Sequence, residues 1–179
     1  MKECYQRSLF LFVSLIFAYT VVSGNASKNG ELIEDTKNLT ANDLVPCELL
    51  TAEQVETVLP GSDEGYTAAS GNSLMEGVKS YQCSYNNDKY DLFTVIIHIA
   101  SSEKDFEWIK PKKSIRESYE DAKKLQIGDG GWLYGNPDDM KVEVAKGFSV
   151  IQLELSSDKA KEKGNALIEL AAILVKKIK

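Results

Sequence analysis

The chain has 179 residues, 43% of them hydrophobic and 27% charged, with a formal net charge of −6. That length suffices for one domain with a real core. The acidic balance disfavours nucleic acid and anionic lipid as partners, and otherwise serves solubility.

Residues 1–24 read as a secretion signal. Lys2 and Arg7 flank the start, Leu9 to Val22 is almost unbroken apolar sequence, and Val22-Ser23-Gly24 suits a cleavage site. The apolar run is short against the roughly 20 residues of a membrane span. A cleaved signal is therefore expected, with an uncleaved anchor as the alternative. Cys4 would leave with the signal, and no cysteine stands at the cleavage point for lipid attachment. Lys2, Glu3 and Arg7 give the signal a net +1, so the rest of the −6 chain carries −7. The expected localisation is secreted or periplasmic, at the cell envelope, with no stable membrane span after cleavage.

Residues 25–43 are polar and are expected to form a flexible leader. Asn25-Ala26-Ser27 and Asn38-Leu39-Thr40 within it are glycosylation sequons, relevant only in a eukaryotic source. A single domain is expected over 44–179.

In that domain Thr51 to Leu59 carries strong helix-start signals. Thr51 is the N-cap, Gln54 completes a capping box, and Leu50 with Val55 makes a hydrophobic staple. Pro60-Gly61 ends it. Residues 61–77, rich in Gly, Ser, Asp and Glu, read as a long loop. Lys79, Tyr81, Cys83 and Tyr85 alternate with Ser80, Gln82 and Ser84, as in a half-buried strand. After the Asn86-Asn87-Asp88 turn, Tyr90 to Ala100 forms the second arm of a hairpin, with Phe93, Val95, Ile97 and Ile99 on one face. Glu103 to Leu125 is charged and reads as helix broken at Pro111.

Three strands then follow around Trp132–Tyr134, Met140–Val144 and Phe148–Leu155, separated by Gly- and Asp-containing turns. A last helix from about Ser157 carries Leu167, Leu170, Ala171, Leu174, Val175 and Ile178 on one stripe. The fold expected is α+β: an antiparallel sheet of about five strands with helices on one face, in the order α-β-β-α-β-β-β-α.

Cys47 and Cys83 are the two cysteines left after the signal. In an exported chain they read as one disulfide tying the first helix to the sheet. A metal-binding pair would need neighbouring Cys or His at ligand spacing, which is missing. No metal or other cofactor is expected.

His98 is the single histidine, so a nucleophile–histidine–acid arrangement would have to use it. No serine lies in a nucleophile-elbow pattern. Asp129, between glycines, and Asp138 and Asp139 could do acid–base work, but Asp in such positions is usually a turn former. Tyr81, Tyr85, Trp132 and Tyr134 lie on strands and are the candidates for a ligand groove, against plain core packing.

Pro46-Cys47-Glu48-Leu49-Leu50-Thr51-Ala52-Glu53-Gln54-Val55, Cys83-Ser84-Tyr85, Ile127-Gly128-Asp129-Gly130-Gly131-Trp132 and Ala145-Lys146-Gly147 occur in that order before an alanine-bearing C-terminal helix. In order and spacing they resemble a family of small cell-envelope lipoproteins with a domain of unknown function, known mainly from actinobacteria. The resemblance implies a disulfide, an α+β fold of the PsbP type and no established enzymatic activity. This chain departs from that family in lacking the lipid-attachment cysteine. The function expected is non-enzymatic binding of a protein or small ligand at the envelope or outside the cell. The alternatives are a hydrolase using His98 with a nearby carboxylate, and a secreted inhibitor-type interaction module.

Overall fold

The computed structural model describes residues 44–113 and 117–178. The expected signal and leader, residues 1–43, lie outside them. Seven strands build one antiparallel sheet: β1 (Tyr66–Met75), β2 (Val78–Asn86), β3 (Leu92–Ala100), β4 (Lys123–Leu125), β5 (Gly130–Asn136), β6 (Asp139–Lys146) and β7 (Ser149–Ser156). Their order across the sheet is β1-β2-β3-β7-β6-β5-β4. Among the described residues three helices accompany them: α1 (Ala52–Glu56), α2 (Glu103–Ile109) and α3 (Gly164–Lys177), with 3-10 turns at Pro46–Glu48 and Ala160–Lys163. The fold is α+β, as expected.

Alternation sorts the side chains into two faces, because directly paired residues share a face. On the first face Tyr81, Ile97, Ile151 and Val144 follow one another across the strands. With Cys83, Phe93, Val95, Leu153, Leu155 and Val142 they form the core, nearly all of them fully buried. The α3 stripe of Leu167, Leu170, Ala171 and Leu174 closes over it. Lys163 Nζ donates to the Thr57 carbonyl at 2.9 Å and Lys177 Nζ to the Leu49 carbonyl at 2.7 Å. Those two bonds tie the N-terminal segment alongside α3.

At α1 the capping box is complete: the Gln54 N–H donates to Thr51 Oγ1 at 3.3 Å, and the Thr51 N–H to Gln54 Oε1 at 2.9 Å. Leu50 and Val55 are both buried in the core, where the staple expectation places them. The helix ends at Glu56 rather than Leu59. The chain tightens there into a turn that buries Val58 and Leu59.

Four expectations are corrected. The sheet has seven strands, not five. The stretch read as a loop at 61–77 contains β1. It has no apolar alternation to announce a strand, and its pairing is bulged, with register shifts and Gly71 at φ +67°. The three-residue β4 was hidden in a charged segment read as helix. Finally, α2 is not stacked with the other helices. It sits at one end of the sheet, where Phe106 meets Phe148 of the β6–β7 turn at 6.1 Å and Asp105 lies against Gly77. Further along, Tyr119 packs on Tyr134 of the second face at 5.1 Å, and Asp121 pairs with Lys161.

Cys47 and Cys83 are joined by a disulfide with a Cα–Cα distance of 5.2 Å and 36 residues of separation. In the chain-entropy treatment a loop of that size contributes about 4 kcal/mol. Replacing both cysteines by alanine should therefore cost roughly 2–5 kcal/mol, and lower the melting temperature by about 3 °C for each kcal/mol. Protease should then cut first between residues 44 and 65. A double variant that melts with the parent would show that the bridge is not what fastens this segment.

Candidate functional site: a cleft beside the disulfide

Cys83 lies in mid-strand on the core face of β2, and the bridge brings the Pro46–Glu48 turn down onto it. Tyr85, two residues along on the same face, stacks on Phe93 with ring centroids 5.8 Å apart. Its hydroxyl donates to the Cys47 carbonyl at 3.4 Å. Burial pushes the Tyr85 phenol above its ordinary pKa.

The chain leaving α1 reverses at Gly61, at φ +72°, where both carboxylate oxygens of Glu56 accept from the Gly61 N–H at 3.1 and 3.2 Å. It then runs beside the end of β2. The Asp63 N–H donates to the Asn86 carbonyl at 2.8 Å, and Ser62 bridges Asn87. At Gly65 it passes directly over the tyrosine and the bridge. A Cβ there would stand 2.4 Å from Tyr85 Cε1 and 2.8 Å from Cys83 Sγ.

These elements enclose a cleft of about 360 Å³. Its floor is apolar, from Cys47, Leu50, Val55 and Tyr85, and its rim carries Glu56, Asp63 and Glu64. No basic side chain lines it. The floor is immobilised by the bridge, the capping box and the Tyr85–Phe93 stack, so the concavity is built before any ligand arrives. Gly65→Ala should push the chain off Tyr85 and the sulfur, neither of which can yield. A melting temperature several degrees lower is expected by thermal denaturation, and an unchanged one would show that the approach is loose.

The four aromatic groove candidates do not form one surface. Tyr81 and Tyr85 lie on the first face, 4% and 5% exposed. The row through Tyr81 reaches Gly131 in β5, so the next residue, Trp132, points to the second face, paired with Glu143. Tyr134 shares that face, its hydroxyl donating to Glu143 Oε1 at 2.9 Å. Trp132 lines a smaller depression of about 290 Å³ with Phe106, Pro111, Lys110 and Lys124. Strand parity decides this division, and it depends on a register that sequence alternation alone does not supply.

The second face also carries His98. Ser80 stands directly opposite on β2, and its hydroxyl is hydrogen-bonded to His98 Nδ1. Burial lowers the imidazole pKa, while the negative charge of Glu143 opposes the shift. Ser84 and Thr94 bond each other at 3.3 Å along the same face. Reading the sequence missed the Ser80–His98 pair. The signal was available, since both residues lie on the polar face of adjoining strands, but only the register aligns them. Ser80 is itself buried, on a strand whose backbone is paired on both sides. Those N–H groups serve the sheet rather than an oxyanion.

The acidic turns do structural work. Asp129 Oδ2 accepts from the Gly147 N–H at 2.6 Å, locking two turns together, and Asp139 Oδ1 accepts from Ser156 Oγ at 3.4 Å. Among the described residues no group of three or more His, Cys, Asp or Glu side chains is placed to hold a metal ion. No described helix is long and apolar enough to cross a membrane. No protein-family model, curated protein or solved structure matches the chain.

His98 makes a pH dependence testable. Its pKa is depressed in the fold, so its contribution to stability is fully present above the unfolded value of about 6.5 and is lost as pH falls through the folded value. Between about pH 7.5 and pH 5 the parent protein should lose more melting temperature than His98→Gln, each referenced to its own value at the higher pH. Parallel profiles would mean that the imidazole does not report its burial.

Proposed function

We propose that this chain is an exported, non-enzymatic binding domain whose contact site is the cleft beside the Cys47–Cys83 bridge. The observation that carries the reading is the character of that cleft: a rigid apolar floor and a rim of one charge sign, with no histidine in its lining and its one cysteine locked in the bridge. Such a site selects by shape and charge, without chemistry. The ligand class is a protein or a small molecule at the cell envelope or outside the cell. Two features support that location: the expected signal at residues 1–24 and a structural disulfide, which persists in oxidising compartments. The resemblance to small envelope lipoproteins points the same way, with attachment by lipid left out because the cysteine for it is missing.

The Ser80–His98 hydrogen bond favours a second reading, a hydrolase with Glu143 as the acid. It is the weaker one, because Ser80 lies buried in mid-strand and none of the three residues lines either of the depressions described above.

Isotope-labelled exported protein, titrated with a mixed library of short peptides and small fragments, separates the two. Backbone shifts should concentrate at Val55, Glu64, Gly65 and Tyr85. Shifts centred instead on Ser80 and His98, with turnover of ester probes that Ser80→Ala abolishes, would replace the binding reading by the hydrolase.

A further inference from the structure

We infer that the occupant of the cleft is an extended segment of a partner protein that pairs with β1 and delivers a lysine or arginine side chain over the Tyr85 floor. The inference rests on the binding reading and specifies its ligand.

Two independent features meet at one place. The first is the edge. β1 is an outermost strand of the sheet, and from Tyr66 to Met75 it holds no charged residue and no proline. Edge strands are usually guarded by such residues against pairing with another chain. Bulging disturbs β1 only beyond Thr67: Tyr66 and Thr67 pair in register with Ser84 and Cys83 before the first shift. The regular part of the edge is therefore the part next to the cleft, since Glu64 and Gly65 line the cleft and lead directly into Tyr66.

The second feature is charge. Glu56, Asp63 and Glu64 rim the cleft, Glu76 follows the far end of β1, and the uncharged strand lies between. A neighbouring strand lies about 4.8 Å away, so the four-carbon stem of a lysine can pass over the 62–65 segment. The stem would rest on Leu50, Val55 and Tyr85 while the ammonium stays at the acidic rim. Main-chain pairing then supplies affinity and the cleft supplies selectivity, as in other strand-addition complexes. A second copy of this chain fits poorly. Antiparallel pairing of two β1 strands would bring Glu64 of one copy toward Glu76 of the other.

The test uses the disulfide-intact exported protein and an eight-residue peptide of alternating Thr and Val with one central Lys. Three comparison peptides accompany it: one with Glu for the Lys, one with N-methyl groups on alternate residues, and one with the central Lys replaced by Ala. The Lys peptide should shift Gly65, Tyr66 and Tyr85. The Glu and N-methylated peptides should bind at least about tenfold more weakly, and the Ala peptide should fall between. Glu64→Lys, at an exposed position, should weaken the Lys peptide about fivefold, with an unchanged melting temperature showing that the fold is intact.

Equal binding of the N-methylated peptide would overturn pairing at β1, and equal binding of the Glu peptide would overturn the cationic anchor. If a library ligand shifts the cleft while none of these peptides does, this inference falls and the binding reading stands. Silence of the cleft toward every ligand removes both.

Discussion

The pairing of β3 with β7 is the interaction on which the rest of the molecule depends. Each half of the sheet is a local meander, β1-β2-β3 on one side and β4 to β7 on the other. Only the seam from Leu92↔Ser156 to Ile99↔Ser149 makes them one sheet. Phe93, Val95 and Ile97 on one strand and Ile151, Leu153 and Leu155 on the other are all fully buried there. Closing this seam joins strands separated by the stretch from Ala100 to Ser149, so its apolar content has to offset a long-range entropy cost. In return it gives α3 a continuous surface to cover.

The N-terminal segment depends on that core without contributing a strand to its centre. It is fastened covalently at Cys47–Cys83, by Tyr85 to the Cys47 carbonyl, and by Lys163 and Lys177 reaching from the α3 region to carbonyls at Thr57 and Leu49. Several independent ties on a short segment hold it in one place. A cleft between it and the approach to β1 can then keep its shape, which a loop fastened at a single point could not do.

The two faces of the sheet are put to different uses. The first is dry and carries the stability. The second is polar and in part buried, with Ser80–His98, Ser84–Thr94 and Tyr134–Glu143 bonded within it. Buried polar groups that satisfy one another add specificity to a fold without being reactive. A serine touching a histidine is thus not enough to indicate catalysis. The position of the pair in mid-strand matters more than its composition.

The sequence alone determined the elements whose signals are local. Thr51 and Gln54 bracket one helix turn, Cys83 to Tyr85 and Phe93 to Ile99 alternate with period two, and the α3 stripe repeats at helical spacing. Each of these patterns needs only a few adjacent residues to be read. The cysteine pairing was equally legible, because the expected export signal would take Cys4 with it and leave Cys47 and Cys83 as the pair. Tertiary structure decided what depends on register and on edges. β1 has no hydrophobic pattern, and it is its backbone pairing with β2 that makes it a strand. Tyr81 and Trp132 looked equivalent as strand aromatics, yet a row counted across four intervening pairings places them on opposite faces. The cleft is made from residues 47, 50, 55, 56, 63–65 and 85, which no single window of sequence contains. It exists only because the bridge and the glycine at 65 let two distant stretches of chain lie within contact distance.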